Sequence, residues 1–199
     1  MRRAAAALAA LLLALTACGG GSDEGDGELH GTVLDPPFEV LPTPLTDTEG
    51  RPFSLTADTD RDLTLVVFGY INCPDICQTV LANLASAMTR LDDADRERVD
   101  VVYVTTDPAR DTEQAIADYL PHFDEDFVGL TGDLQTIIDV AEPLGVGITK
   151  GERLPSGGYD VTHGTTITGI DADDEGFVYW SQDSSSSDFA EDIHTLLHD

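Results

Sequence analysis

Val66-Val67-Phe68-Gly69-Tyr70-Ile71-Asn72-Cys73-Pro74-Asp75-Ile76-Cys77-Gln78-Thr79-Val80-Leu81 reads as a buried strand, a short turn and a helix whose first turns hold two cysteines. The strand follows from the β-branched apolar run over residues 63–68. The helix follows from Pro74, a residue tolerated at the first helical position, and from Ile76, Val80, Leu81, Leu84 and Met88, which recur at helical spacing. With Cys77 in the helix and Cys73 capping it, the two sulfurs point to nearly the same side. The partial positive charge of an exposed helix N-terminus favours thiolate, so the pair suits either redox exchange or a soft metal.

Cys-x-x-Cys is the usual spacing of a redox pair, but here three residues intervene, which leaves room for a metal between the sulfurs. Two thiolates suit copper(I) or zinc, with imidazole as a natural third ligand. A bare structural disulfide is also open, because the N-terminus points to an oxidising compartment. Arg2 and Arg3 precede an apolar stretch over residues 4–15 that is too short to span a bilayer comfortably. Leu15-Thr16-Ala17-Cys18 resembles a bacterial lipobox, so residues 1–17 are expected to be a lipoprotein signal peptide and Cys18 the lipidated first residue. Such an anchor holds the chain at the extracytoplasmic face of the membrane without spanning it.

The chain of 199 residues carries a formal net charge of −28. Removing the signal leaves 8 basic against 38 acidic residues, which argues against nucleic acid as a partner. Residues 18–40 are expected to form a flexible acidic tether and an extended lead-in, with a short edge strand over 29–33. Residues 45–55 read as a β-hairpin around Asp47-Thr48-Glu49-Gly50. After the cysteine helix, which should end near Leu91, residues 92–98 read as a loop and 99–105 as a second interior strand. Asp111 with Gln114 suggests a capping box opening a helix through about His122. A short strand over 127–130 and a helix opened by Asp133 follow. Residues 145–150 read as a short strand, 151–158 as a hairpin loop, 165–171 and 177–180 as an antiparallel pair, and 188–197 as a last helix.

This alternation followed by a hairpin predicts an α/β fold, a mixed central sheet with helices on both faces. A βαβ unit joined to a ββα unit, with cysteines after the first strand, is the thioredoxin-like arrangement, here in residues 41–199 with an N-terminal β-hairpin extension and a helical insertion. Ligand sites in such sheets lie past the carboxyl ends of the strands. Cys73 and Asp107 both fall there, so Asp107 is a candidate for orienting a ligand from behind, or simply for breaking the strand before Pro108. His163, between a glycine-bearing loop and a strand, is the histidine best placed to join the cysteines. His194 and His198 lie four apart on the last helix and can pair on a metal, but a solvated face at a fraying terminus is the plainer reading. His30 and His122 look incidental. Met88 is the only methionine beyond Met1 and falls on the apolar stripe, which excludes a methionine-based copper route.

The chain resembles the Sco/SenC family of copper chaperones for cytochrome oxidase. The matching segments are residues 46–55, Phe68-Gly69-Tyr70-Ile71-Asn72-Cys73-Pro74-Asp75-Ile76-Cys77, Thr106-Asp107-Pro108-Ala109-Arg110-Asp111-Thr112, Leu130-Thr131-Gly132 and Val161-Thr162-His163, in the family's order across residues 41–197. Two positions depart from the family's pattern: Ile71-Asn72 precede the first cysteine in place of Thr-His or a similar pair, and Gln78 follows the second in place of proline. The resemblance implies that Cys73, Cys77 and His163 hold one copper ion, as copper(I), copper(II) or both. It further implies that the chain delivers copper to the dinuclear copper site of cytochrome c oxidase subunit II, or keeps that site's thiols reduced. A thiol–disulfide oxidoreductase using Cys73 and Cys77 without stable metal is the alternative; a metallochaperone is otherwise not an enzyme.

Overall fold

In a computed structural model that describes residues 29–74, 76–155 and 159–198, ten strands and five helices alternate. They are β1 (Thr32–Glu39), β2 (Leu45–Asp47), β3 (Pro52–Phe53), β4 (Leu63–Gly69), α1 (Cys77–Met88), α2 (Asp93–Arg96), β5 (Val99–Thr105), α3 (Glu113–Tyr119), β6 (Val128–Thr131), α4 (Leu134–Ala141), β7 (Ile148–Arg153), β8 (Tyr159–His163), β9 (Ile167–Asp171), β10 (Glu175–Trp180) and α5 (Ser186–His198). The expected signal segment and the expected lipidation at Cys18 lie outside the described residues, and no described helix is long and apolar enough to cross a membrane.

β4, β5 and β6 pair in parallel at the centre of an eight-stranded sheet ordered β1-β10-β9-β4-β5-β6-β2-β3. β9 closes antiparallel on β4, while β7 and β8 form a separate two-stranded ribbon. Every residue of β4 is buried, because helices cover both faces. Leu63, Leu65 and Val67 join Val80, Leu81 and Leu84 of α1, Ile116 of α3, and Phe189 and Ile193 of α5 in one core. Val66 and Phe68 point the other way, onto Ile137 and Val140 of α4. The side-chain period of two thus explains how one unbroken apolar run serves two cores.

Several local expectations shift. The lead-in is not an isolated extended segment: β1 spans Thr32–Glu39 and pairs antiparallel with β10, accommodating Pro36 and Pro37 at a change of register between Val33 and Phe38. Prolines fit there because β1 is an edge strand, where a missing N–H breaks no ladder. The loop over 92–98 contains α2, whose N-cap Asp92 accepts from the Asp95 N–H. At α3 the cap is Thr112, which accepts from the Ala115 N–H, and Asp111 turns inward instead. The strand expected at 145–150 lies three residues later, because Gly145 takes a positive φ of 73° that ends the α4 segment.

Asp47 fixes the β2–β3 hairpin. Its carboxylate accepts from the Glu49 N–H at 2.9 Å and the Arg51 N–H at 2.8 Å, and pairs with the Arg51 guanidinium. Burial alone would raise this carboxyl, but the Arg51 and Glu49 donors outweigh it and hold it below its ordinary value. Its contribution to stability is therefore full above about pH 4, the ordinary carboxylate value, and is lost as pH falls through the lower folded value. Asp47→Asn should lower Tm at neutral pH, with the gap to the parent closing in acid. A gap that stays constant to the lowest accessible pH would contradict this.

Candidate metal centre

α1 begins at Cys77, not at Pro74. Ile76 is its N-cap with helical φ and ψ of −91° and −23°, and it offers no side-chain acceptor. Cys73 therefore lies in the turn before the helix, with its N–H donating to the Tyr70 carbonyl at 3.1 Å. Cys73 is half-buried and Cys77 is buried. Gly69 makes room for the second sulfur: a Cβ there would stand 3.4 Å from Cys77 Sγ and 3.1 Å from the Tyr103 ring. Neither cysteine is in a disulfide.

His163 comes from the far end of β8, where it pairs in register with Ile148 of β7. Its Nδ1 stands 2.7 Å from the Gly164 carbonyl. A carbonyl only accepts, so Nδ1 carries the proton and Nε2 presents a lone pair. That lone pair faces Cys77 Sγ at 3.8 Å. Bonds of about 2.3 Å to sulfur and about 2.0 Å to nitrogen, opened to a trigonal angle, would separate the two atoms by about 3.7 Å. The same separation suits a thiol–imidazole hydrogen bond and, once the thiol proton is displaced, an ion bridging the two atoms. The Nδ1–H bond to a carbonyl is also the usual support of a ligating imidazole.

The electrostatics differ from a simple helix-terminus picture. Burial, together with the neighbouring Cys73 sulfur, pushes the Cys77 thiol up to about 12, against the lowering effect of the Tyr70 and Cys77 N–H groups. Burial likewise lowers His163, partly opposed by its bond to Gly164. Without metal the centre is thus a neutral thiol facing a neutral imidazole. Such a thiol is a poor nucleophile at neutral pH, so any attacking role in redox exchange falls to the more accessible Cys73.

Asp107 is almost wholly buried and paired with Arg110. Its carboxylate reaches the centre only through two intervening side chains. The Arg110 guanidinium stands 6.0 Å from the Tyr70 ring centroid, and that ring meets His163 edge-on at 5.8 Å. The carboxylate that grips the cysteine loop directly is Asp111, the residue whose spacing to Gln114 predicts a helix cap. Its Oδ2 accepts from the Ile71 N–H at 2.9 Å and from Thr105 Oγ1 at 2.7 Å, tying the loop to the end of β5. Burial raises the Asp111 carboxyl despite these donors. Two phenols, Tyr103 and Tyr119, lie behind the cysteines with buried hydroxyls that lack hydrogen-bond partners among the described residues. Both are apolar-looking positions in the strand and helix patterns, so nothing in the sequence marked them.

The sequence pattern of the SCO1/SenC family matches residues 32–198. The mitochondrial SCO1 homologue of Homo sapiens is 31% identical over 158 residues, covering 74% of this chain and 52% of that protein. The chain spans between 52% and 63% of the length of the curated relatives it matches first. Among solved structures, apo Sco1 from Thermus thermophilus superposes with a TM-score of 0.73 at 27% identity, over 85% of this chain and 96% of that one. Copper-bound ScoI of Bradyrhizobium japonicum gives 0.68 at 28% identity, over 78% and 98%. These neighbours share the thioredoxin-like α/β fold, with the mixed sheet covered on both faces. With its cysteine pair, its distant histidine and its whole sheet inside the matched region, the chain belongs to the SCO1/SenC family.

Proposed function

We propose that the chain binds one copper ion through Cys73, Cys77 and His163 and passes it to another copper protein, the dinuclear copper site of cytochrome c oxidase subunit II. The observation that carries this reading is the imidazole lone pair of His163 facing the Cys77 sulfur at 3.8 Å. The copper bound in the Bradyrhizobium japonicum relative supports it. Two sulfurs and one imidazole make a soft set suited to copper(I). Three ligands leave an open position, so an incoming thiolate can bind copper before a resident one leaves. The half-buried Cys73 is the ligand such a partner reaches first. In this reading Cys18 carries the lipid that keeps the chain on the extracytoplasmic membrane face, next to a membrane-bound oxidase.

The test is a copper(I) titration of the reduced full chain, followed by mixing with copper-free subunit II. One equivalent should bind and then appear in the dinuclear centre's absorption, while Cys73→Ser combined with Cys77→Ser should abolish both. The rival, thiol exchange without metal, predicts no stoichiometric copper and an exchange rate that survives His163→Ala.

A further inference from the structure

The two histidines of the last helix are solvent-exposed, as the sequence leads one to expect, but both have a buried partner. Asp95 of α2, with a side chain only 3% exposed, meets both of them. His194 Nδ1 is 2.7 Å from Asp95 Oδ2, and His198 Nε2 is 2.8 Å from Oδ1. The imidazole rings stand 4.4 Å apart, centroid to centroid. One donor atom from each of the three side chains lies within 4.8 Å of the other two.

We propose that Asp95, His194 and His198 form a second metal site, for a borderline divalent ion such as zinc or copper(II), which clamps the C-terminal helix onto α2. The carboxylate is the fixed member. Its own N–H is held by Asp92 Oδ1 at 2.9 Å, and the Arg98 N–H closes the turn onto its carbonyl at 3.0 Å. The imidazoles are the adjustable members, with side chains 63% and 51% exposed. Tetrahedral coordination with bonds near 2.0–2.1 Å separates donor atoms by about 3.3 Å. Each nitrogen therefore moves out by about half an ångström from its present hydrogen bond, and the proton it now points at Asp95 passes to the other nitrogen of the same neutral ring, or to solvent from a protonated one, which frees the lone pair for the ion. Solvent reaches the rings directly, so water can fill the remaining positions.

The donor set separates this site chemically from the cysteine centre. Two nitrogens and one oxygen suit zinc, nickel or copper(II), whereas two sulfurs select copper(I). It is also distant. Cys77 opens α1 and α2 follows that helix's other end, so the length of α1, about 18 Å for 12 residues, lies between them. A chain of net charge −28 draws cations toward its surface, but only a preformed cluster gives a single saturable site.

The experiment uses the full chain carrying Cys73→Ser, Cys77→Ser and His163→Ala, so that its outcome is independent of the copper reading. Zinc is titrated in excess magnesium, which occupies the diffuse acidic surface. One saturable equivalent is expected, with Tm rising as free zinc rises and with the imidazole NMR resonances of His194 and His198 shifting together. Adding His198→Gln or His194→Gln, both at exposed ring positions, should weaken zinc at least tenfold. Non-saturable uptake, equal affinity in the glutamine variants, or resonance shifts confined to His30 and His122 would each overturn the proposal.

Discussion

Cys77→Ser should lower the copper(I) affinity of the reduced protein by more than ~100-fold, beyond what the loss of an outer-shell partner costs. Serine offers a hard oxygen where the ion needs a soft sulfur. His163→Ala costs less, because water or an added imidazole can take the vacated position through the half-exposed mouth. Asp111→Asn should cost only ~10-fold, as expected of a residue that holds the loop and not the ion. It should slow no transfer step that the parent completes once loaded. The buried thiol adds a second signature. Because burial pushes Cys77 up to about 12, copper must displace a proton that the free site keeps at neutral pH. Binding therefore releases protons, and apparent affinity rises with pH. Competition against a copper(I) chelator at several pH values measures both effects. Affinity that is unchanged in Cys77→Ser, or flat with pH in the parent, would remove Cys77 from the ligand set.

The three candidate donors could be picked out of the sequence because they are rare residues in a recognisable order. Only two cysteines follow Cys18, and His163 sits where a strand begins to pair. What the sequence did not yield was the support beneath them. Asp107 and Asp111 both follow the same strand, and both carboxylates are buried. Which one turns toward the cysteine loop depends on where α3 starts, and Thr112 competes with Asp111 as its cap. Both are good N-cap types, so propensity alone leaves the question open. The thiol's high proton affinity was hidden for a related reason. A helix terminus contributes a local effect that can be read from spacing, whereas desolvation depends on Gly69, Tyr103 and the rest of the pocket closing over the sulfur. The Asp95 cluster shows the same limit at longer range. His194 and His198 are four apart by sequence, but their carboxylate is 99 and 103 residues away.

Asp192→Ala is expected to cost about 3–5 kcal/mol of folding stability, a loss in the exceptional range for a single substitution. This buried carboxylate takes three donors at once. The His30 N–H reaches Oδ1 at 2.9 Å, and the Gly31 N–H and Trp180 Nε1–H reach Oδ2 at 2.7 and 2.6 Å. Each donor left without a partner away from water costs about 1–3 kcal/mol. Trp180 is 1% exposed and has no route to solvent, so its indole N–H should account for the largest share. Nor can the backbone close over the gap with a larger residue at 31. A Cβ on Gly31 would lie 2.7 Å from Trp180 Nε1. Asp192→Asn separates charge from connectivity: its one carbonyl oxygen serves two of the donors, while its amide must face the third, so it should lose less than alanine does. Equilibrium unfolding in urea, with the slope compared between variants, measures the difference. The argument fails if Asp192→Ala falls within about 1 kcal/mol of the parent. The same helix bears Asp192 and His194 on different faces of one turn and His198 on the next. The carboxylate therefore ties α5 to the start of β1 and to β10, and the histidines tie it to α2. Zinc should still raise the Tm of Asp192→Asn, because the metal ties α5 to α2 whereas Asp192 ties it to the start of β1 and to β10.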